Sequence, residues 1–255
     1  MKAVVELRKV GMNYQSPNGE IKALENVDFT VDDGEFVCIV GPSGCGKSTL
    51  LSIIAGLLIP SSGEVFLYGE QFSGPSRKTG YMLQRDHLFE WRTILENILL
   101  GLEIQKILTP QTKEKALAFL ETYGLYEFRG KYPNQLSGGM RQRAALVRTL
   151  MTDPRILLLD EAFSALDYQT RLAVSDDIYA IIKKEKKTAI LVTHDISEAI
   201  SMADRVIVLS HRPGTVKKIH QISLTCHKRT PLVSREAPEF RYYFQEIWEE
   251  LDVHV

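Results

Sequence analysis

The sequence predicts an α/β fold: a largely parallel sheet covered by helices, with a mostly helical segment inserted between its two halves. Three observations carry that reading. Phe36–Val40, Ile156–Leu159 and Ala189–Thr193 are nearly continuous apolar runs, the pattern of strands covered on both faces. A glycine-rich turn separates the first run from an apolar helical stretch, Ser48–Gly56. Between Leu88 and Met151 the strand signal gives way to helical spacing.

The remaining elements follow in chain order. Val4–Val10 and Asn26–Val31 carry alternating or β-branched residues and read as strands, as do Gly63–Tyr68 and Gly80–Leu83. Ile94, Leu95, Ile98, Leu99 and Leu102 recur at helical spacing, and Leu117, Leu120 and Tyr123 continue it. Leu172, Ser175, Ile178 and Ile182 share one helical stripe. The Lys-rich connector Lys183–Lys187 reads as a solvated helix end. Arg205–Leu209 is a further strand, and Phe240, Phe244, Ile247, Trp248 and Leu251 mark an amphipathic helix expected to pack on its own domain.

Composition narrows the function classes. The 255 residues, 44% hydrophobic and 25% charged, suit one large soluble domain or two small ones. A net charge of −1 excludes a chain drawn by its overall charge onto nucleic acid or anionic lipid. Cys38, Cys45 and Cys226 have no paired spacing, which argues against a disulfide framework or a thiolate zinc site and for free thiols in a reducing cytoplasm. The opening MKAVVELRKV has no apolar signal core, and the apolar stretch 53–59 falls far short of the roughly 20 residues that span a bilayer. The expectation is a cytosolic chain that reaches a membrane only through a partner.

Gly41-Pro42-Ser43-Gly44-Cys45-Gly46-Lys47-Ser48 fits G-x-x-x-x-G-K-[ST]. The glycines let backbone N–H groups approach phosphate oxygens, and the following helix aims its N-terminal dipole at the same anion. Lys47 brings positive charge to the β- and γ-phosphates, and the Ser48 hydroxyl is suited to Mg²⁺. Thr49, next in the chain, is counted with the loop, and Cys45 reads as a small residue at a variable position.

Ile156-Leu157-Leu158-Leu159-Asp160-Glu161 is a buried strand ending in two carboxylates, and open α/β sheets place ligands at the carboxyl ends of their strands. Asp160 is suited to hold Mg²⁺ through water and Glu161 to polarise an attacking water. Thr193-His194-Asp195 follows another buried strand at the same edge, which makes His194 a candidate contact for the γ-phosphate or that water.

At Leu136-Ser137-Gly138-Gly139-Met140-Arg141-Gln142-Arg143 the chain resembles the signature of ATP-binding cassette ATPases, the nucleotide-binding subunits of ABC transporters. The other cassette motifs stand in the family's order over about the first 220 residues: Tyr14 for the aromatic on adenine, Gln84 at the junction of core and helical insert, Ser164-Ala165-Leu166-Asp167 after the acidic strand, and His194 as the switch histidine. Met140 and Ala162 depart from the family's usual Gln and Pro.

The resemblance implies a P-loop NTPase cassette with a RecA-like core, an antiparallel β subdomain and a helical insert. Residues 1–225 would be the cassette, with the helical part at about 88–151, and residues 226–255 a C-terminal helical extension. It implies ATP and Mg²⁺ as ligands, with Ser48, Gln84 and Asp160 toward the metal, Glu161, His194 and Gln84 in catalysis, and Asp167 at the nucleotide. It also implies two equal copies stacked head to tail, each covering the other's ATP with Ser137, Gly138 and Gly139.

Leu88-Phe89-Glu90-Trp91-Arg92-Thr93-Ile94-Leu95-Glu96-Asn97 and Leu209-Ser210-His211-Arg212-Pro213-Gly214 are similar to the cassettes of the nitrate, sulfonate and taurine importer group, which also serves some vitamin-precursor importers. That likeness implies a separate transmembrane permease, contacted through Leu88, Phe89 and Trp91, an extracytoplasmic substrate-binding protein, and a place on the cytoplasmic face of the membrane. A non-transport cassette acting on nucleic acid or ribosomes is the competing class. One cassette, no long heptad run and no basic excess argue against it, so no nucleic-acid partner is expected.

Overall fold

The computed structural model describes residues 2–17 and 19–251. A long hairpin opens the chain: β1 (Ala3–Ser16) pairs antiparallel with β2 (Gly19–Asp32), from Ala3 opposite Asp32 to Ser16 opposite Gly19. The apolar run forms β3 (Phe36–Val40), followed by α1 (Lys47–Ile54), β4 (Ser62–Leu67), β5 (Glu70–Gln71) and β6 (Thr79–Met82). The helical insert supplies α2 (Ile94–Ile104), α3 (Pro110–Thr122) and α4 (Gly138–Leu150). Alternation then resumes with β7 (Ile156–Asp160), α5 (Tyr168–Lys184), β8 (Thr188–Val192), α6 (Ile196–Met202), β9 (Arg205–Leu209) and β10 (Val216–Gln221). Helices α7 (Pro231–Ser234) and α8 (Phe240–Glu250) complete the order.

The strands form two sheets. One has four antiparallel strands in the order β2-β1-β4-β5; the other has six in the order β10-β9-β3-β8-β7-β6. In the larger sheet β9, β3, β8, β7 and β6 are mutually parallel, and β10 joins its edge antiparallel to β9. Strands β3, β7 and β8 are buried at every residue.

Their period-two alternation divides the core. Phe36, Cys38 and Val40, with Leu157, Leu159, Ala189 and Leu191, face a cluster shared with the helical insert, α5, α6 and α8. Val37 and Ile39, with Ile156, Leu158, Ile190 and Val192, face a second cluster shared with α1 and the antiparallel sheet. The consecutive apolar residues read in the sequence are therefore two half-cores threaded on one strand.

The insert is anchored by local chemistry. Thr93 caps α2 in a reciprocal box with Glu96. Asn97, fully buried, donates Nδ2 to the carbonyls of Phe89, Arg92 and Thr93 and accepts the Phe89 N–H, fixing the turn that leads into the helix. Helix α2 then packs against α4.

Several elements differ from the sequence reading. The first two strands are longer than Val4–Val10 and Asn26–Val31, because β1 and β2 continue outward as an exposed hairpin. Strand β10 was not expected: its Lys-rich edge buries only His220. Nor was α6, whose seven residues are buried at nearly every position and so show no helical stripe. The solvated end expected at Lys183–Lys187 holds in part: α5 ends at Lys184, and Lys184 and Lys186 are exposed. Lys183 pairs with Asp204 and Lys187 with Asp153, and the Lys187 side chain is only 13% exposed. In the expected C-terminal extension, α7 packs on α5 and α6 while α8 packs on α6 and buries Ile247; residues 252–255 lie outside the described residues.

Candidate active site

Because β3, β8, β7 and β6 are parallel neighbours, the segments leaving their carboxyl ends gather at one edge. Strand β3 delivers the loop Gly41–Gly46, β7 delivers Asp160 and Glu161, β8 delivers Thr193 and His194, and β6 leads to Gln84.

The loop is shaped by close approaches. Gly46, at the N-cap of α1, has φ +102, and a Cβ there would stand 2.7 Å from Leu24 Cδ2 and 3.0 Å from the Ala23 carbonyl oxygen. Only glycine can bring this backbone so close to β2 in that conformation. Lys47 is buried, and its Nζ donates to the Gly41 and Pro42 carbonyls at 2.8 and 3.0 Å, holding the loop around the ammonium. The Cys45 side chain packs beneath the loop, and burial pushes its thiol pKa up although Lys47 opposes the shift.

The two carboxylates occupy different environments. Asp160 accepts Ser48 Oγ at 2.9 Å on Oδ1 and Tyr81 Oη at 3.2 Å on Oδ2. Burial raises its pKa, and those two hydrogen bonds oppose the rise. Burial likewise pushes Tyr81 up to about 12, which keeps the phenol a donor to Asp160 at neutral pH. Glu161 Oε2 accepts Gln84 Nε2 at 3.2 Å and lies 3.3 Å from His194 Nδ1. Gln84 Nε2 also donates to Ser164 Oγ at 3.2 Å.

These groups border a cavity of about 780 Å³. Tyr14, Ser43, Gly44, Gly46, Lys47, Ser48, Thr49, Glu161 and His194 line it, and Tyr14 Oη lies 3.2 Å from Thr49 Oγ1. Gly41, Pro42 and Cys45 do not line the cavity but build the loop behind it; Asp160 and Gln84 reach it through Ser48 and Glu161. Ser137, Gly138, Gly139 and Asp167 are not among its lining residues. Ser137 caps α4, its Oγ accepting the Met140 N–H, and Asp167 caps α5, its Oδ1 accepting the Thr170 N–H. Gly139 is needed for packing, since a Cβ there would stand 2.7 Å from Val174 Cγ2.

Four lining or supporting residues escaped the sequence reading. Ile21 and Ala23 line the cavity from β2, and Ile21 stands directly opposite Tyr14 in the hairpin, a neighbour that the pairing register reveals. Arg212 lines it from the turn after β9, noted in the sequence only for its likeness to an importer motif. Tyr81 is one of the alternating residues of a short strand and carries no signal of its own.

Comparison with known proteins matches residues 24–164 to the family described as ABC transporter. The chain is 48% identical to the uncharacterized ABC transporter ATP-binding protein YtlC of Bacillus subtilis, over 94% of this chain and 92% of that one. It is 41% identical to the aliphatic sulfonates import ATP-binding protein SsuB of Bacillus cereus, over 84% of each chain. With the nitrate import ATP-binding protein NrtD of Synechocystis it shares 39% over 95% of this chain and 93% of that one. Among solved structures, the dimeric post-hydrolysis state of the ATP-binding cassette MJ0796 bound to ADP and Pi superposes with a TM-score of 0.74 at 34% identity, covering 86% of this chain and 99% of that one. With a phosphate-binding loop, an acidic strand end and a histidine at one edge of a parallel sheet, this chain belongs to the ABC transporter family as an ATP-binding cassette, and it is an ATPase.

Proposed function

We propose that this chain is the ATP-hydrolysing subunit of an importer for a small solute of the sulfonate or nitrate class, a group that extends to taurine and vitamin precursors. It would work as a homodimer of cassettes beneath a separate permease, on the cytoplasmic face of the membrane. An extracytoplasmic substrate-binding protein would deliver the solute. The importer class is supported by the likeness to sulfonate and nitrate import ATP-binding proteins. Among the described residues no helix is long and apolar enough to cross a membrane, so the solute path would belong to the permease.

One observation supports the catalytic reading most: Glu161 Oε2 is shared between Gln84 and His194 beside the phosphate-binding loop. Tyr14, with Ile21 opposite it, would flank the adenine. The N–H groups of the loop and the N-terminus of α1 would face the phosphates with Lys47. Glu161 would orient and polarise the attacking water, and His194 would close on it.

Ser48, Asp160 and Gln84 would hold Mg²⁺. Their donors are a hydroxyl, a carboxylate and an amide oxygen, the hard oxygen set this ion takes, and Ser48 Oγ lies 2.9 Å from Asp160 Oδ1. When bound, the ion supplies charge against the β- and γ-phosphates. Ser137, Gly138 and Gly139, absent from the lining of this chain's own cavity, would cover the ATP of the second copy.

Leu88, expected at the permease, is buried in the core, so that contact would fall to Phe89 and Trp91, whose rings stack at 4.7 Å between centroids. Trp91 is 73% exposed.

Glu161→Gln tests the catalytic assignment. ATP turnover is expected to fall by about 10² or more while ATP still binds, because the amide keeps the shape but loses the base. Near-normal hydrolysis in that variant would remove Glu161 from the role.

A further inference from the structure

Behind the cavity a set of hydrogen bonds joins two segments that the proposed reaction uses separately. Arg171 stands in the first turn of α5. Its Nη2 donates to the Leu166 carbonyl at 3.0 Å, in the loop Ser164–Asp167, and its Nη1 reaches Asp195 Oδ2 at 3.5 Å. Asp195 directly follows His194. The side chains of Arg171 and Asp195 are 23% and 25% exposed, so water screens the pair only in part.

Each end of this bridge is seated by contacts of its own. The Leu166 side chain lies 2.9 Å from where a Cβ on Gly138 would stand, so the loop rests on the first turn of α4. The same loop is tied to the acidic strand end, because Ser164 donates both its N–H and its Oγ to the Glu161 carbonyl. At the other end, Asp195 Oδ1 accepts the Glu198 N–H at 3.1 Å and caps α6, and the Asp195 N–H donates to Thr193 Oγ1 at 3.1 Å. His194 is carried between Thr193 and Asp195, with its Nδ1 3.3 Å from Glu161. Two arms of one planar guanidinium thus hold a carbonyl and a carboxylate belonging to different loops, a task the fork geometry of arginine suits and a single ammonium does not.

We propose that Arg171 is a positioning residue that yokes the loop Ser164–Asp167 to the turn carrying His194. Contact made on the Ser137–Gly139 end of α4 is then passed, through Leu166 and the guanidinium, to His194 and Glu161 of the same chain. The transmission between two ATP sites rests on the proposed pairing of cassettes, in which Ser137–Gly139 serve the other copy's nucleotide; the yoke itself lies within one chain. Removing the guanidinium leaves Asp195 capping α6 but unlinked to α5, and leaves the Leu166 carbonyl without this donor, so the two segments lose their common anchor.

The test uses the full purified chain with Arg171→Met and Arg171→Lys. Steady-state ATP hydrolysis and backbone hydrogen exchange are read together. Losing charge-assisted bonds at both ends is expected to lower kcat about 10-fold or more in Arg171→Met while KM stays within about 3-fold. Exchange is expected to rise in both 164–167 and 193–198. Arg171→Lys, which keeps the charge and serves if the Met variant folds poorly, is expected to show the same pattern at smaller size. A kcat within about 2-fold of wild type, a loss carried by KM alone, or faster exchange in only one segment overturns the yoke. The pairing is read apart from it, in Glu161→Gln: a chain that stays monomeric with ATP by size-exclusion chromatography removes the two-site transmission, while the kinetic and exchange results still decide the role of Arg171.

Discussion

Glu161 sits at φ +45, a left-handed conformation that costs a residue with a Cβ of order 1–3 kcal/mol. Its backbone is held there from both sides: the N–H donates to the Val192 carbonyl, and its carbonyl accepts Ser164 N–H and Oγ. The sharp turn brings the side chain to Gln84 and His194. Glu198 is 3% exposed, and burial raises its pKa from 4.5 to about 7, with Asp195 adding to the rise and Thr193, Arg171 and Arg235 opposing it. The folded state therefore takes up this proton more readily than the unfolded one. The stability this contributes is fully present below about pH 4.5 and is lost as pH rises through 7. Glu198→Gln removes the dependence. Melting temperatures across pH 5–8 are expected to fall less steeply in the variant, with a differential of order 3 kcal/mol between the ends of the range.

At the scale of elements, legibility followed periodicity and length. Strands β3, β7 and β8 stood out because both of their faces are buried and every residue is apolar. Strand β10 did not, since an edge strand with one buried residue offers no pattern to read. Helix α2 was visible in its stripe, but its entry turn depends on side chains that bond locally. Thr93 Oγ1 accepts the Glu96 N–H at 3.3 Å, and the Glu96 carboxylate accepts the Thr93 N–H at 2.7 Å, a contact that also holds the carboxyl below its usual pKa. Thr93→Ala is expected to cost about 1 kcal/mol, read as a fall of about 2–4 °C in melting temperature, with ATP affinity unchanged. A fall in nucleotide affinity would show that this cap supports the site as well as the insert.

At the scale of the molecule, parallel strands do the gathering. Residues as far apart as Lys47, Gln84, Glu161 and His194 approach one another because β3, β6, β7 and β8 all run in one direction, so their following segments leave one edge. Ser137–Gly139 lie outside the lining of that cavity, in keeping with the proposed second copy. The Phe89–Trp91 stack rests on a turn pinned by Asn97, which makes it a firm surface. Trp91→Ala is expected to leave the basal ATPase of the isolated chain within about 2-fold of wild type and to abolish most solute uptake when the permease is present, because a large exposed aromatic that a partner covers carries a large share of the binding energy. Unimpaired uptake would exclude this ring as the contact.

The sequence by itself determined the chemistry that local pattern encodes. The phosphate-binding loop, the acidic strand end, the His194 turn and the signature are short runs whose residue types and spacing carry their own physical reasons. It also determined the parallel core, because strands buried on both faces must be apolar throughout. Tertiary structure decided what depends on neighbours distant in the chain. Ile21 joins Tyr14 only through the hairpin register, Arg212 reaches the cavity only because β9 runs beside β3, and Arg171, whose bond to Leu166 is local, meets Asp195 only once α5 packs beside α6. None of these has a signal in its own surroundings, because the role of each is set by a partner that folding alone brings within reach.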